Sequence, residues 1–327
     1  MRHRATLALL FGLALAICFP PSLRAQGARP AVNAPQETDD EVKVNTYKRF
    51  VENREPNPAA AYEAARYYMT RYGKEDDQYT RYLKVWILAY EQDQREGKLL
   101  QAIYGDKNYA AGFGLAKQVL ADNPDNLKAL IALGFGGYLA TTNAKNETFN
   151  ADSARYAQKA TQLIESGKAP DTWEPFKNRD DTLASLHYAI GLAEFKTHPE
   201  DAIGHFIKVT QLDSDLKKTP STYFGLAQAY EHGPYQKLSA DYKKRFENQP
   251  ESPESKAALE TLNKVIDKII DAYARAIALS GNDPKHQASK AEWLKHVTEL
   301  YKFRHDNSDA GLNEFIAGAL SKPLPQP

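Results

Sequence analysis

The chain has 327 residues with 42 basic and 42 acidic side chains, and it carries 46 Ala and 32 Leu against 9 Val and 13 Ile. Ala and Leu lose little freedom in a helix whereas β-branched residues suit strands, so this ratio argues against a β-sandwich or barrel. Without a basic excess there is no electrostatic footprint for nucleic acid, and 26% charged with 42% hydrophobic residues excludes wholesale disorder.

In chain order, residues 1–25 read as a secretory signal. Arg2, His3 and Arg4 form a positive start, Ala5 to Phe19 is an apolar run of 15 residues, and Leu23-Arg24-Ala25 offers a cleavage site. The run is short for a membrane-spanning helix, which needs about 20 apolar residues. Cleavage after Ala25 leaves 39 basic against 42 acidic residues. It also removes Cys18, the one cysteine of the chain, and with it disulfides, thiolate metal sites and a cysteine nucleophile. A competing reading keeps Cys18 as a lipidated N-terminus, because Leu15-Ala16-Ile17-Cys18 loosely resembles a bacterial lipobox, with Ile17 where that pattern has a small residue. A lipid on Cys18 is then the one expected membrane attachment. Residues 26–42 lack hydrophobic periodicity and read as a flexible tether, and the Pro-rich tail 321–327 reads as extended.

Between these ends, residues 43–320 show apolar positions at helical spacing, broken by short Gly, Pro, Asn and Asp clusters. The spacing predicts helices over 44–53, 58–72, 77–95, 107–122, 127–140, 151–166, 182–195, 200–213, 221–231, 237–247, 254–280, 287–304 and 309–320. Such short helices cannot each bury an apolar face alone and must stack on their neighbours. Three of them share a pattern of a large residue, an apolar one three on, and a small one next. These are Leu130/Leu133/Gly134, His187/Ile190/Gly191 and Tyr223/Leu226/Ala227, the last with Tyr230 beyond. Following helices carry Ala157/Ala160/Leu163 and Ala202/Phe206/Val209.

This pattern resembles the tetratricopeptide repeat, closely over 100–231 and more loosely over 58–95 and 254–320. Pro124 matches the repeat-ending proline, and Trp293 to Tyr301 with Ala310 to Phe315 looks like one more pair. The connections 141–150 and 166–181 exceed the family's turn, and 232–253 is an insertion. The resemblance implies an all-α, right-handed superhelical solenoid of five to seven antiparallel helix pairs, like repeat proteins exported by Gram-negative bacteria. That would place the chain in the periplasm or outside the cell, in some cases at the outer membrane.

Chemical motifs are scarce. There is no phosphate-binding Gly-rich loop before a Lys-Ser/Thr, no His-Glu-x-x-His and no nucleophile elbow. Gly134, Gly136 and Gly137 lie inside an apolar helical pattern and read as a close helix contact. Seven histidines follow the signal (His187, His198, His205, His232, His286, His296, His305), none three or four apart, so no helix offers an i, i+4 metal pair. His187 takes the bulky core position of its helix. Asp76-Asp77 and Asp180-Asp181 read as helix-start residues, and Lys243-Lys244-Arg245 as a solvated face, with an acidic partner or anionic lipid as the sharper reading. Tyr62, Tyr67, Tyr188, Tyr230 and Tyr273 fall at core spacing. No metal, cofactor or catalytic residue is expected.

Carrying over the repeat family's groove positions implies a binding face of Lys128, Ile131, Phe135 and Tyr138, then Ser185, Tyr188, Leu192 and Phe195, then Ser221, Phe224, Gln228 and Glu231. Trp173, in the long 166–181 connection, is a second anchor or a plug over the side of the stack. The expected function is a non-catalytic scaffold that binds a protein or peptide segment on a concave face. The alternatives are a lipid-tethered envelope-assembly component, and an enzyme or accessory subunit using His and carboxylates on that face.

Overall fold

The computed structural model describes residues 37–323 and Gln326. The expected signal, Cys18 and the expected tether up to residue 36 lie outside the described residues. Among the described residues every regular element is helical and no strand is present. The chain forms two compact units, one ending at Thr80 and one beginning at Arg81.

The first unit is built on α1 (Asp39–Asn53) and α2 (Pro58–Tyr72) packed as a hairpin. α1 starts five residues before the predicted helix and so shortens the tether. Thr38 and Glu41 form a capping box: the Glu41 N–H donates to Thr38 Oγ1 at 3.2 Å and the Thr38 N–H to Glu41 Oε2 at 2.8 Å. Asn57 caps α2, with Pro58 in its first turn. The core is Phe50, Ala61, Ala64, Ala65 and Tyr68. Tyr67, predicted as core, is 49% exposed, because Ala64, Ala65 and Tyr68 already fill the inward face of α2; its hydroxyl accepts from Arg71. Asp77 does cap a helix start, accepting from the Thr80 N–H at 2.7 Å.

The second unit takes up α3 (Gln78–Leu100) from residue 81. Then follow a π-turn (Gln101–Gly105), α4 (Tyr109–Asp122), α5 (Leu127–Ala144), α6 (Asn150–Glu165), α7 (Arg179–Glu194), α8 (Pro199–Gln211) and α9 (Pro220–Tyr230). A second π-turn (Glu231–Tyr235), α10 (Gln236–Phe246), α11 (Pro253–Ser280), α12 (Gln287–Arg304) and α13 (Leu312–Gly318) complete it. Short polar residues set the starts: Asn108, Asn126, Asn178 and Ser252 each accept a hydrogen bond from the first turn of α4, α5, α7 and α11. Asp180 and Asp181 lie in the first turn of α7, where carboxylates complement the helix dipole.

Each of α5 to α8 packs on the helix before and the helix after, α9 packs on α8 and α11, and α5, α7 and α9 also touch one another in sequence. The apolar core follows this order as three patches. Leu99, Ile103 and Leu133 anchor the first, Leu130, Ile164 and Leu186 the second, and Phe206, Leu226, Ile270 and Val297 the third. Small residues let the backbones close. A Cβ on Gly134 would stand 2.7 Å from Ala157 Cα, so α5 and α6 meet there only because a side chain is missing. On the next pairs a ring fills the gap: Phe206 of α8, fully buried, lies against both Gly191 of α7 and Gly225 of α9.

The insertion after α9 has a physical cause. Pro234 lacks an N–H, and Gly233 leaves helical geometry at φ −100°, ψ −105°, so the helix widens into a π-turn and redirects. α10 then buries none of its residues, and Lys243, Lys244 and Arg245 are exposed. α11 returns to pack on α9 and receives α12 and α13 as well. At its C-terminal half the buried Arg275 donates to Asp271 Oδ2 at 2.7 Å and to the Pro323 carbonyl at 2.6 Å, pinning the start of the tail. Among the described residues no helix is long and apolar enough to cross a membrane.

Candidate functional site

The positions implied for the groove lie on α5, α7 and α9 or just beyond their C-terminal ends, and the structure gathers several of them into two clusters. In the first, Phe135 meets Tyr138 with ring centroids 5.0 Å apart, and Tyr138 meets Tyr188 edge-on at 5.6 Å. The Tyr188 hydroxyl donates to Ser221 Oγ at 3.0 Å, which ties α7 to the start of α9. Phe135 and Tyr138 are half-buried, whereas Tyr188 is 5% exposed and supports the surface from beneath. Burial pushes the Tyr188 phenol up to about 12, so it stays protonated at any physiological pH.

In the second cluster, Phe224 stacks on Trp293 of α12 at 4.9 Å. Gln228 donates to the Tyr273 hydroxyl at 2.8 Å and to Glu231 Oε2 at 2.7 Å, and the Tyr273 hydroxyl donates to Glu231 at 3.2 Å. His296 of α12 closes the network at 2.5 Å from Glu231 Oε1. Phe224, Gln228 and Glu231 are thus one turn apart on α9 and its π-turn, and their partners come from α11 and α12. Donation from its Nε2–H to the Glu231 carboxylate holds the His296 imidazole above its ordinary value. Glu231→Gln is expected to bring the His296 pKa back down toward 6.5, followed by the histidine ring signals in an NMR pH titration.

Lys128, Ile131 and Phe195 stand apart from these clusters. Lys128 is ion-paired to Asp171 at 3.3 Å and Glu96 at 3.8 Å, and Ile131 is 6% exposed. Phe195 shares with Tyr138 the wall of a cavity of about 270 Å³ between the ends of α5 and α7 and the start of α6. Of the remaining implied positions, Ser185 is buried and Leu192 half-buried.

The 166–181 connection folds over the α5 face. Phe176 sits edge-on to Phe135 at 5.3 Å, and Trp173 lies half-buried against the core that contains Leu127 and Ile131. Trp173 therefore acts as a plug and also keeps an open edge. Tyr273, Trp293, His296 and Phe176 are not among the implied groove residues. They reach the site through tertiary packing, and periodicity on one helix carries no signal for it.

The histidine pair His187 and His205 lies elsewhere, between α7 and α8. Their Nδ1 atoms are 2.8 Å apart, so one neutral ring donates to the other. Burial depresses both: His187 falls to about 3, first by desolvation and then by His205 and Lys208. His187 is thus the core residue its position implied. Among the described residues no group of three His, Cys, Asp or Glu side chains could hold a metal ion. The chain matches no known family model, no curated protein and no solved structure.

Proposed function

We propose that this protein is a non-catalytic interaction scaffold of the bacterial cell envelope. Its second unit would be a tetratricopeptide-like solenoid that binds a partner segment along α5, α7 and α9. The observation that carries this reading is the run of half-exposed aromatic and amide side chains on successive first helices: Phe135, Tyr138, Phe195, Phe224 and Gln228. Rigid aromatics bury large area at low entropic cost, and a preformed surface spares the partner part of the ordering penalty. The recurrent seats for small residues, Gly134, Gly191 and Gly225, support stacking of helix pairs as the repeated unit. The basic, apolar, small-residue order of residues 1–25 supports export.

The test combines Phe135→Ala with Phe224→Ala in the full chain. Both rings are half-buried, so helicity is expected to persist with a modest loss of thermal stability. Crosslinking and pull-down from native envelope is expected to lose the partner that the parent protein captures. Unchanged capture would refute the assignment of this face, and unfolding would make the two rings core residues.

A further inference from the structure

A groove of about 370 Å³ opens along α1 within the first unit. Three rings wall it: Tyr47 stands edge-on to Tyr79 at 4.7 Å and to Tyr68 at 6.0 Å. Val44 forms the lip, 65% exposed, and Lys43 and Lys48 flank it. Lys43 is ion-paired to Glu75 and, at 3.4 Å, to Asp77, so that edge carries little net charge. Val51, on the same face of α1 as Val44, is 47% exposed and extends the apolar strip. Aromatic walls with hydroxyl and ammonium donors at the rim suit an extended proline-rich segment. Proline rings lie flat on tyrosine, and the unbonded carbonyls of that backbone accept from the rim.

The chain next to the groove has that composition. The described residues begin at Glu37, and residues 26–36 carry Pro30, Pro35 and a single charge, Arg29. Glu37 gives the direction. Its Oε1 accepts from Asn45 Nδ2 at 3.1 Å, so the residue before the cap reaches back along α1 rather than away from it. At about 1.5 Å per residue, Val51 lies about 18 Å beyond the first residue of α1. About six extended residues, at about 3.1 Å each, return over that distance. Residues 31–36 therefore suffice to cover α1 as far as Val51. Arg29 then comes to the C-terminal end of the helix, where the dipole is negative and Glu52 and Glu55 are exposed.

We propose that residues 29–35 dock in cis on this groove, antiparallel to α1, with Pro35 at Val44 and Val32 toward Val51. The Tyr79 hydroxyl and the Lys48 ammonium donate to their carbonyls. The segment is then a strap that shortens the reach between residue 26 and the first helices, in contrast to the flexible tether its composition alone implies. The assignment is independent of the α5–α7–α9 face.

The test compares the full chain with the full chain carrying Pro30→Ser, Val32→Ser and Pro35→Ser, following the Val44 and Val51 methyl signals by NMR. The Thr38–Glu41 capping box is untouched, so the helix is expected to persist, checked by circular dichroism. The triple variant is expected to shift both methyl signals. The peptide acetyl-Ala-Arg-Pro-Ala-Val-Asn-Ala-Pro-Gln-amide, added to it, is expected to shift them back, and the peptide with serine for both prolines to leave them in place. Val44→Asp in the variant is expected to abolish the recovery at Val51. In the parent chain the attached segment has an effective concentration of about 1 mM or more, so added peptide at about 0.1 mM is expected to change nothing. Unmoved signals in the triple variant overturn the proposal. Equal binding of the two peptides overturns it as well. So does equal binding of the proline peptide to parent and variant, which would leave the groove open for a partner. Tighter binding of acetyl-Ser-Lys-Pro-Leu-Pro-Gln-Pro, the tail sequence of this chain, would also overturn it, since the occupant would then be the other proline-rich end.

Discussion

Acidification from pH 6.5 to about pH 3 is expected to destabilise the second unit by up to about 5 kcal/mol through His187 alone. In the folded state burial and the neighbouring His205 hold the ring neutral, while the unfolded chain protonates near 6.5. The folded pKa is lowered, so the unfolded state binds more protons in this window. Stability is fully present above pH 6.5 and is lost as pH falls toward the folded value. His205 acts in the same direction, softened by Asp201 and Glu165, which favour its charged form. Glu165 also stands 3.9 Å from His187 Nε2, a nitrogen that is buried without a hydrogen bond. Thermal midpoints measured across pH 7 to 4 are expected to fall steeply for the parent and much less for His187→Leu with His205→Leu. Equal slopes would show that other groups dominate.

Phe206→Ala is expected to cost about 3–5 kcal/mol, the range for removing a fully buried phenylalanine. The ring bridges three helices, since it fills the space left by Gly191 on α7 and Gly225 on α9 and meets Tyr188 at 6.0 Å. Its loss leaves a cavity that rigid glycine backbones cannot close. If, as the solenoid proposal requires, each helix is held chiefly by its neighbours, the damage is local: amides of α7 to α9 should lose hydrogen-exchange protection before those of α4 and α5. Uniform loss of protection along the unit would mean that the core behaves as one cooperative centre. A cost below about 1 kcal/mol would mean that the glycine seats collapse onto the vacancy.

The helices were legible because their punctuation is chemical. Asn57, Asn108, Asn126, Asn178 and Ser252 cap helices near the predicted starts, and Pro58, Pro199, Pro220 and Pro253 occupy first turns where their missing N–H costs nothing. The Thr38–Glu41 capping box was equally present in the residues, yet apolar periodicity alone places the start of α1 five residues late. The extension of α3 to Leu100 and its π-turn left no such mark, because a wider turn changes hydrogen bonding without changing residue type.

At the candidate site the within-helix spacing brought Phe135 beside Tyr138, and Gln228 beside Glu231. What it could not supply were partners from distant segments: Phe176 on Phe135, Trp293 on Phe224, and His296 on Glu231. Nor could it show that Ile131 and Tyr188 turn inward, since burial depends on which helix packs above.

The proposed contact of a partner with the α5–α7–α9 face is open to photo-crosslinking. Benzoylphenylalanine replaces Tyr138, Phe195 or Phe224, each in turn, and, as controls, the exposed Gln162 of α6 or Gln211 of α8. One discrete adduct shared by the three face positions is expected in native envelope, and none from the two controls. Adducts from Gln162 and Gln211 with none from Tyr138, Phe195 and Phe224 would refute the proposed contact.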